Sequence, residues 1–413
     1  MSRVLFFINP FYGHINPNMP IIRDLIKMGE EIIFYTTHHF REHLPENVPV
    51  KLYPSKDLFK WGIEEQVTEI NTGLQKILLY YERDFGPIYQ TLYKFAKGEL
   101  EVHRPDYIVY DYFDASWAKR AAEDLNLLHI SSSPTYAICK EAFLKNPEEF
   151  VRYVWRIPMD RSVFKDEKTI KTFALTIEKC ICRKYRLKSF SLFENGNSKY
   201  LNLIHTSKEI QPYSTLFNDS FRFIGYEHYR EITPIKHPSK KKKIYISLGS
   251  TVRSKDIDFF MICVKSLKYS TAHIVMSIGP YLEKSEFDHM ELKNFTIINF
   301  ANQVEELSKA DLFITHAGHN SVNDALLLGV PMICIPIQTD QFIVSKQISE
   351  NGAGITLSRA ELNEELLWKA VNQIFNQDSY KSSSIKLGQT LKRKGKYNKG
   401  ALEIIKFKER NGI

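Results

Sequence analysis

Two histidines and an aspartate stand where apolar runs of this chain end, and their types suit proton transfer and anion binding. His14 lies in NPFYGHINP, directly after the apolar run Val4 to Ile8. A neutral imidazole there can take a proton from a hydroxyl, since its unperturbed pKa lies near neutrality. The same histidine could simply brace the turn, and the residues alone leave both readings open. Asp111 closes the run YIVYD, level with His14 if the two strands are neighbours. His316 follows the β-prone run LFIT and opens the turn HAGHNS. That turn leads into a helix whose first backbone N–H groups, around Asn320 and Ser321, are unpaired and suit a phosphate. His316 could donate one more hydrogen bond to the same anion. Gly249, Ser250 and Thr251 form a second strand-end turn able to bring backbone N–H groups to a diphosphate.

Other groupings imitate metal chemistry. His39, Glu42 and His43 spell H-x-x-E-H, but Pro45 leaves no room for the sustained helix that zinc hydrolysis needs. Asp256 and Asp258 spell D-x-D just after the Gly249 turn and read as a helix cap and a solvated face. Cys180 and Cys182 have no companion pair. No metal is expected.

The elements that must carry these side chains follow from periodicity. Around His316, a strand at Leu312–Thr315, a helix over Val322–Leu328 closed by Gly329, and a second strand in VPMICIPI make a βαβ unit. Its polar turn sits at the carboxyl end of the first strand, where open α/β sheets take their ligands. Around His14, Val4–Ile8 reads as a buried strand and Asn16 as the cap of a helix with Pro17 in first position and Gly29 at its end. Glu31–Thr37 is a second strand, Trp61–Lys97 an aromatic-rich helical stretch, and Tyr107–Tyr110 a strand leading to a helix capped by Asp114. KIYISLGSTV restarts the alternation. Two strand–helix series, each with its site at strand ends, predict an α/β protein of two Rossmann-like domains facing across a cleft. The expected boundaries are 1–226 for a first domain, 227–243 for a linker, 244–392 for a second domain and 393–413 for a final helix.

Composition is compatible with that plan. A chain of 413 residues that is 43% hydrophobic and 25% charged has material for two cores. No run reaches the roughly 18 apolar residues of a membrane helix, and the start is a strand rather than a signal peptide. Five scattered cysteines read as a reduced, cytoplasmic chain. Net charge is +8, but the run Lys240–Lys243 lacks interleaved aromatics and reads as solvated linker, not a nucleic-acid surface. Peripheral contact with lipid stays open, and a monomer or weak dimer is expected.

The stretch HAGHNSVNDALLLGVPMICIPIQTDQ resembles the donor-binding box of the UDP-glycosyltransferases, family 1 of the nucleotide-sugar-dependent enzymes. The likeness is greatest to their bacterial macrolide- and flavonoid-modifying branch. It extends over the chain, strongly at both ends and weakly between about Tyr136 and Tyr200. The resemblance implies a GT-B fold and an inverting, metal-independent transfer of a hexose, foremost glucose from UDP-glucose, to a hydroxyl of an apolar small molecule. GHINP fits the pattern that carries the family's base, so His14 takes that role with Asp111 as its acidic partner. Gly249, Ser250, Thr251, His316, Gly318, Asn320 and Ser321 would hold the phosphates. Phe300, Gln303, Val304 and Asp324 would hold the nucleoside, and Asp340 with Gln341 the sugar. Phe11, Tyr12, Tyr81, Ser132, Tyr136 and Phe143 are the candidate acceptor contacts. The chain departs from the family pattern where a base-stacking tryptophan and a proline are replaced by Phe300 and Asn302. It departs again where Asp324 stands for a ribose-binding glutamate. The co-substrate is the nucleotide sugar, and no cofactor is implied. A nucleotide-sugar epimerase of the same architecture, or a non-catalytic auxiliary of a partner transferase, are the alternatives.

Overall fold

Along β1 (Arg3–Phe7) the side chains alternate between two cores. Val4 and Phe6 join one apolar cluster with Ile15 and Ile21, whereas Leu5 and Phe7 join another with Leu92 and Trp117. A strand buried on both faces belongs inside a parallel sheet covered by helices on either side, and the computed structural model has that form. It describes residues 2–41, 44, 46–59, 86–113, 115–154, 165–185, 190–227, 241–249, 256–337, 340–392 and 396–413. The chain divides into two compact units. One comprises Met1–Thr206, Tyr213–Tyr229 and Arg393–Ile413, and the other Ser207–Pro212 and Arg230–Lys392.

In the first unit, β1 is joined by β2 (Glu31–Thr36), β3 (Val50–Leu52), β4 (Tyr107–Asp111), β5 (Leu128–Ser133), β6 (Leu201–Ile204) and β7 (Phe221–Phe223). Their order is β3-β2-β1-β4-β5-β6-β7, and every pairing is parallel. Helices α1 (Tyr12–Lys27), α2 (Pro87–His103) and α3 (Ser116–Asp124) cover the faces. In the second unit, β8 (Lys243–Ser247), β9 (His273–Ser277), β10 (Phe295–Ile298), β11 (Leu312–Thr315), β12 (Met332–Cys334) and β13 (Gly354–Thr356) run β10-β9-β8-β11-β12-β13, again parallel. Its site-bearing helices are α4 (Gln303–Lys309), α5 (His319–Leu327) and α6 (Gln341–Glu350). Strand order reverses between β1 and β4 in one unit and between β8 and β11 in the other. At such a switch point the flanking crossovers leave in opposite directions and open a crevice at the strands' carboxyl ends.

The structure corrects several boundaries. Phe11 is extended and its carbonyl accepts from His14 N and Ile15 N at 2.9 Å each, so α1 begins at Tyr12 rather than behind an Asn16 cap. His14 is therefore in the first helical turn, and Pro17 sits in the second. Gly86 and Pro87 start α2, which interrupts the expected helix over Trp61–Lys97; residues 60–85 lie outside the described residues. Ala115 precedes α3, and Asp114 also lies outside them. The helix after the HAGHNS turn begins at His319, three residues earlier than periodicity suggested. Among the described residues, no helix is long and apolar enough to cross a membrane.

The final helix, α7 (Lys399–Asn411), packs on the first unit through Ala401, Ile404 and Phe407. Buried Lys408 pairs with buried Glu30, which also accepts the Tyr107 hydroxyl at 3.1 Å. Arg222 meets Glu403 at 3.1 Å, and Asp24 accepts the Asn398 amide N–H at 2.7 Å. Removing one partner of a buried ion pair strands the other charge. Lys408→Ala should lower the first unit's stability in urea by about 3 kcal/mol, and Lys408→Met should lose a similar amount. A methionine variant of wild-type stability would show that packing alone holds the helix.

Candidate functional site

Parallel pairing of β1 with β4 brings the ends of both strands to one edge, with Phe7 opposite Tyr110. Asp111, the last residue of β4, is fully buried, and the His14 ring on the first turn of α1 meets it, Nδ1 to Oδ2, at 2.7 Å. The second carboxylate oxygen, Oδ1, accepts the Phe113 backbone N–H at 2.9 Å. A carboxylate on Nδ1 favours the tautomer with its proton there, which leaves the lone pair on Nε2. The His14 side chain is 22% exposed, so a hydroxyl can reach it. Phe11 and Phe113 flank the imidazole, with ring centroids 5.7 and 6.3 Å away. Phe113 was missed in the sequence; its signal was its place two residues beyond Asp111.

The acceptor candidates divide. Phe11 and Tyr12 are half-buried near His14, with the Tyr12 ring packed against His39 and Phe40. Tyr81 lies outside the described residues, as do Glu42 and His43 of the H-x-x-E-H grouping. Ser132, Tyr136 and Phe143 are all buried. Ser132 is fully buried, its hydroxyl bonded to Asn18 at 2.8 Å and to His205 at 2.9 Å. Tyr136 is 3% exposed, and Phe143 stacks on Phe193 at 4.3 Å within a closed apolar cluster that also takes Phe150. Aromatic residues in this helical stretch are needed for its own core, which the sequence could not separate from ligand contact.

The second unit repeats the arrangement. Thr315 pairs with Ser247, so the turns after β8 and β11 meet at the switch point. Gly249 has φ +76°, and a side-chain carbon added there would lie 2.5 Å from His316 Cε1. One added at Gly318 would lie 2.5 Å from His316 Nε2. The imidazole thus occupies a slot that only two glycines can form. Burial drives its pKa down to about 4, although Asp340 opposes the shift. Near pH 7 the His316 ring is therefore neutral and can offer a hydrogen bond but no charge. Ala317, at φ +65°, turns the chain so that α5 begins at His319, behind an extended Gly318. Ser250 and Thr251 lie outside the described residues. Asp256 precedes the helix Ile257–Leu267 and pairs with Arg359.

Three predicted donor residues come together. Gln303 donates Nε2–H to Asp324 Oδ2 at 2.9 Å and accepts the Ser321 hydroxyl at 3.2 Å. Asp324 is 4% exposed, so its carboxylate is held in place by this pairing. Asn320 and Ser321 lie in the first turn of α5, and Val304 is half-buried on α4. Phe300, in the loop between β10 and α4, is 69% exposed. Asp340 stands at the start of α6, and buried Gln341 accepts the Ile337 backbone N–H at 2.8 Å, closing the loop after β12. His319 is buried at the first position of α5.

A model described as the glycosyltransferase family 28 C-terminal domain matches residues 244–397. The chain is 27% identical to YojK of Bacillus subtilis, described as an uncharacterized UDP-glucosyltransferase, over 99% of this chain and 98% of that protein. It is 25% identical to the NDP-glycosyltransferase YjiC of Bacillus subtilis over 98% and 97%. The solved glycotransferase of kitacinnamycin superposes with a TM-score of 0.76 at 20% identity, covering 98% of this chain and 99% of that one. The calicheamicin glycosyltransferase CalG4 superposes with a TM-score of 0.73 at 19% identity over the whole of both. With likeness running the length of the sequence and of the fold, the chain has the GT-B fold and is similar throughout to the bacterial UDP-glycosyltransferases.

Proposed function

We propose that this transferase moves a hexose, foremost glucose from UDP-glucose, to a hydroxyl of an apolar natural-product-like acceptor, with inversion and without a metal. The observation that carries the reading is the His14–Asp111 pair, a partly exposed base against a fully buried carboxylate at a sheet switch point. His14 Nε2 removes the hydroxyl proton as oxygen attacks the anomeric carbon. Asp111 holds the ring and stabilises the imidazolium that forms. As the bond to the diphosphate breaks, the neutral N–H of His316 and the first turn of α5 donate hydrogen bonds to the departing oxygens. Exposed Phe300 offers a face for the base, and Asp324, oriented by Gln303, offers a carboxylate to the ribose hydroxyls. Phe11 and Phe113 favour an apolar acceptor at His14.

The test is nucleoside diphosphate release by the purified protein in chelator, with UDP- and TDP-sugars, with and without flavonoid and macrolide alcohols. Acceptor-dependent UDP release with a hexose mass increment on the alcohol is the expected result. New sugar epimers formed without an acceptor would overturn it in favour of epimerisation.

A further inference from the structure

Three buried polar side chains lie in a row behind His14. Asn18 on α1 is 1% exposed, Ser132 on β5 is fully buried, and His205, just past β6, is 2% exposed. The Ser132 hydroxyl donates to Asn18 Oδ1 at 2.8 Å and lies 2.9 Å from His205 Nε2. Asn18 Nδ2 donates to the backbone carbonyl of His14 at 2.8 Å. Since the hydroxyl proton goes to Asn18, the His205 contact requires a proton on Nε2, and all three bonds run in one direction, from His205 toward His14.

We propose that His205, Ser132 and Asn18 are a positioning relay that fixes the helical turn bearing His14, so that its imidazole meets Asp111. The inference rests on His14 being the base. Pro17 and Pro20, both inside α1, donate nothing to the helical ladder, so the turn carrying His14 is held less by backbone bonds than an ordinary helix. The Asn18 amide supplies an additional tie at that turn. The relay anchors the tie to β5 and β6, strands of the sheet that also carries Asp111 on β4. The neighbours of Asn18 and Ser132 along the chain, Ile15, Met19 and Ile130, and Leu203, which pairs with Ser132 across the sheet, all belong to one apolar cluster, where nonpolar side chains would avoid the desolvation cost. A connected network specifies one geometry where apolar packing tolerates several.

The test compares Ser132→Ala with Ser132→Thr. The first readout is the imidazole Nδ1–H resonance of His14 in nitrogen-15 spectra, identified by its absence in His14→Ala. The second is steady-state turnover. Ser132→Ala is expected to shift or lose the resonance and to lower kcat roughly tenfold to a hundredfold, the scale of a small misplacement of a catalytic group. UDP affinity and KM for the nucleotide sugar stay unchanged, and Ser132→Thr keeps the wild-type values. A Ser132→Ala protein with the resonance unmoved and full kcat overturns the relay. So does a parallel loss of UDP affinity, which marks general damage. Should Ser132→Ala not fold, His205→Gln, which retains a donor, and His205→Phe, which does not, carry the same comparison; identical spectra from both overturn it. Wild-type protein that transfers to no acceptor refutes the transferase reading, while the resonance still judges the relay.

Discussion

Replacing His14 with alanine should lower kcat for sugar transfer by about 100- to 10,000-fold, the span of general base catalysis, and leave UDP binding intact. The separation arises because His14 belongs to the first unit and the turns at Gly249 and His316 to the second. Asp111→Asn should cost a comparable factor through a different route. A carboxylate can only accept from Nδ1, and this sets the lone pair on Nε2. A carboxamide can turn its NH2 group toward Nδ1, which favours the tautomer with the proton on Nε2, where it cannot take another. The position is fully buried and the change preserves volume, so folding should survive. Turnover measured with saturating donor, beside calorimetric UDP titration, checks both variants. Near-wild-type kcat in His14→Ala would refute the base assignment.

Gly318→Ala should abolish productive donor binding, because the new methyl would stand 2.5 Å from His316 Nε2 and the 4% exposed ring has no space to yield. Gly249→Ala should do the same from the opposite side, with added strain from its φ of +76°. Removal of one donor to a developing anion typically costs about 100- to 1,000-fold in kcat, and UDP affinity should fall alongside. Wild-type UDP titrations in both variants would show that His316 does not contact the diphosphate. The same burial has a pH signature. His316 titrates near 4 in the folded chain against an ordinary value of 6.5. As pH falls from above 6.5 toward 4, the unfolded chain takes up a proton that the folded ring refuses, so stability declines over that window. His129, pushed down to about 3 by burial, adds to the same trend in the first unit. Thermal melts across this range should therefore flatten in His316→Gln relative to wild type.

Much of this was legible in the residues. Alternation of apolar runs with helical spacing gave two parallel α/β units, because strands buried on both faces must be almost wholly apolar and their ends must be polar or small. The same logic put His14, Asp111, Gly249 and His316 at strand ends before any pairing was known. The H-x-x-E-H and D-x-D groupings could be set aside by local chemistry, since Pro45 and the helix after Asp256 are themselves local signals.

What only tertiary structure decided depends on which elements pack together. Ser132 reads as a candidate acceptor contact, yet Asn18 on α1 and His205 after β6 close over it, and it serves His14 from behind. Phe143 reads as a pocket aromatic, yet it packs in the core of its own helical layer, and Tyr136 is buried just before that layer. Phe113 gains meaning only through the 2.7 Å contact that puts His14 beside Asp111. Gly249 and Gly318 lie 69 positions apart in the sequence, and nothing in their spacing predicts that both must lack a side chain to admit one imidazole. Local sequence specifies hydrogen-bonding periodicity and where it breaks. Contacts between residues distant in the chain are selected by shape and burial, and these exist only once the sheet order is set.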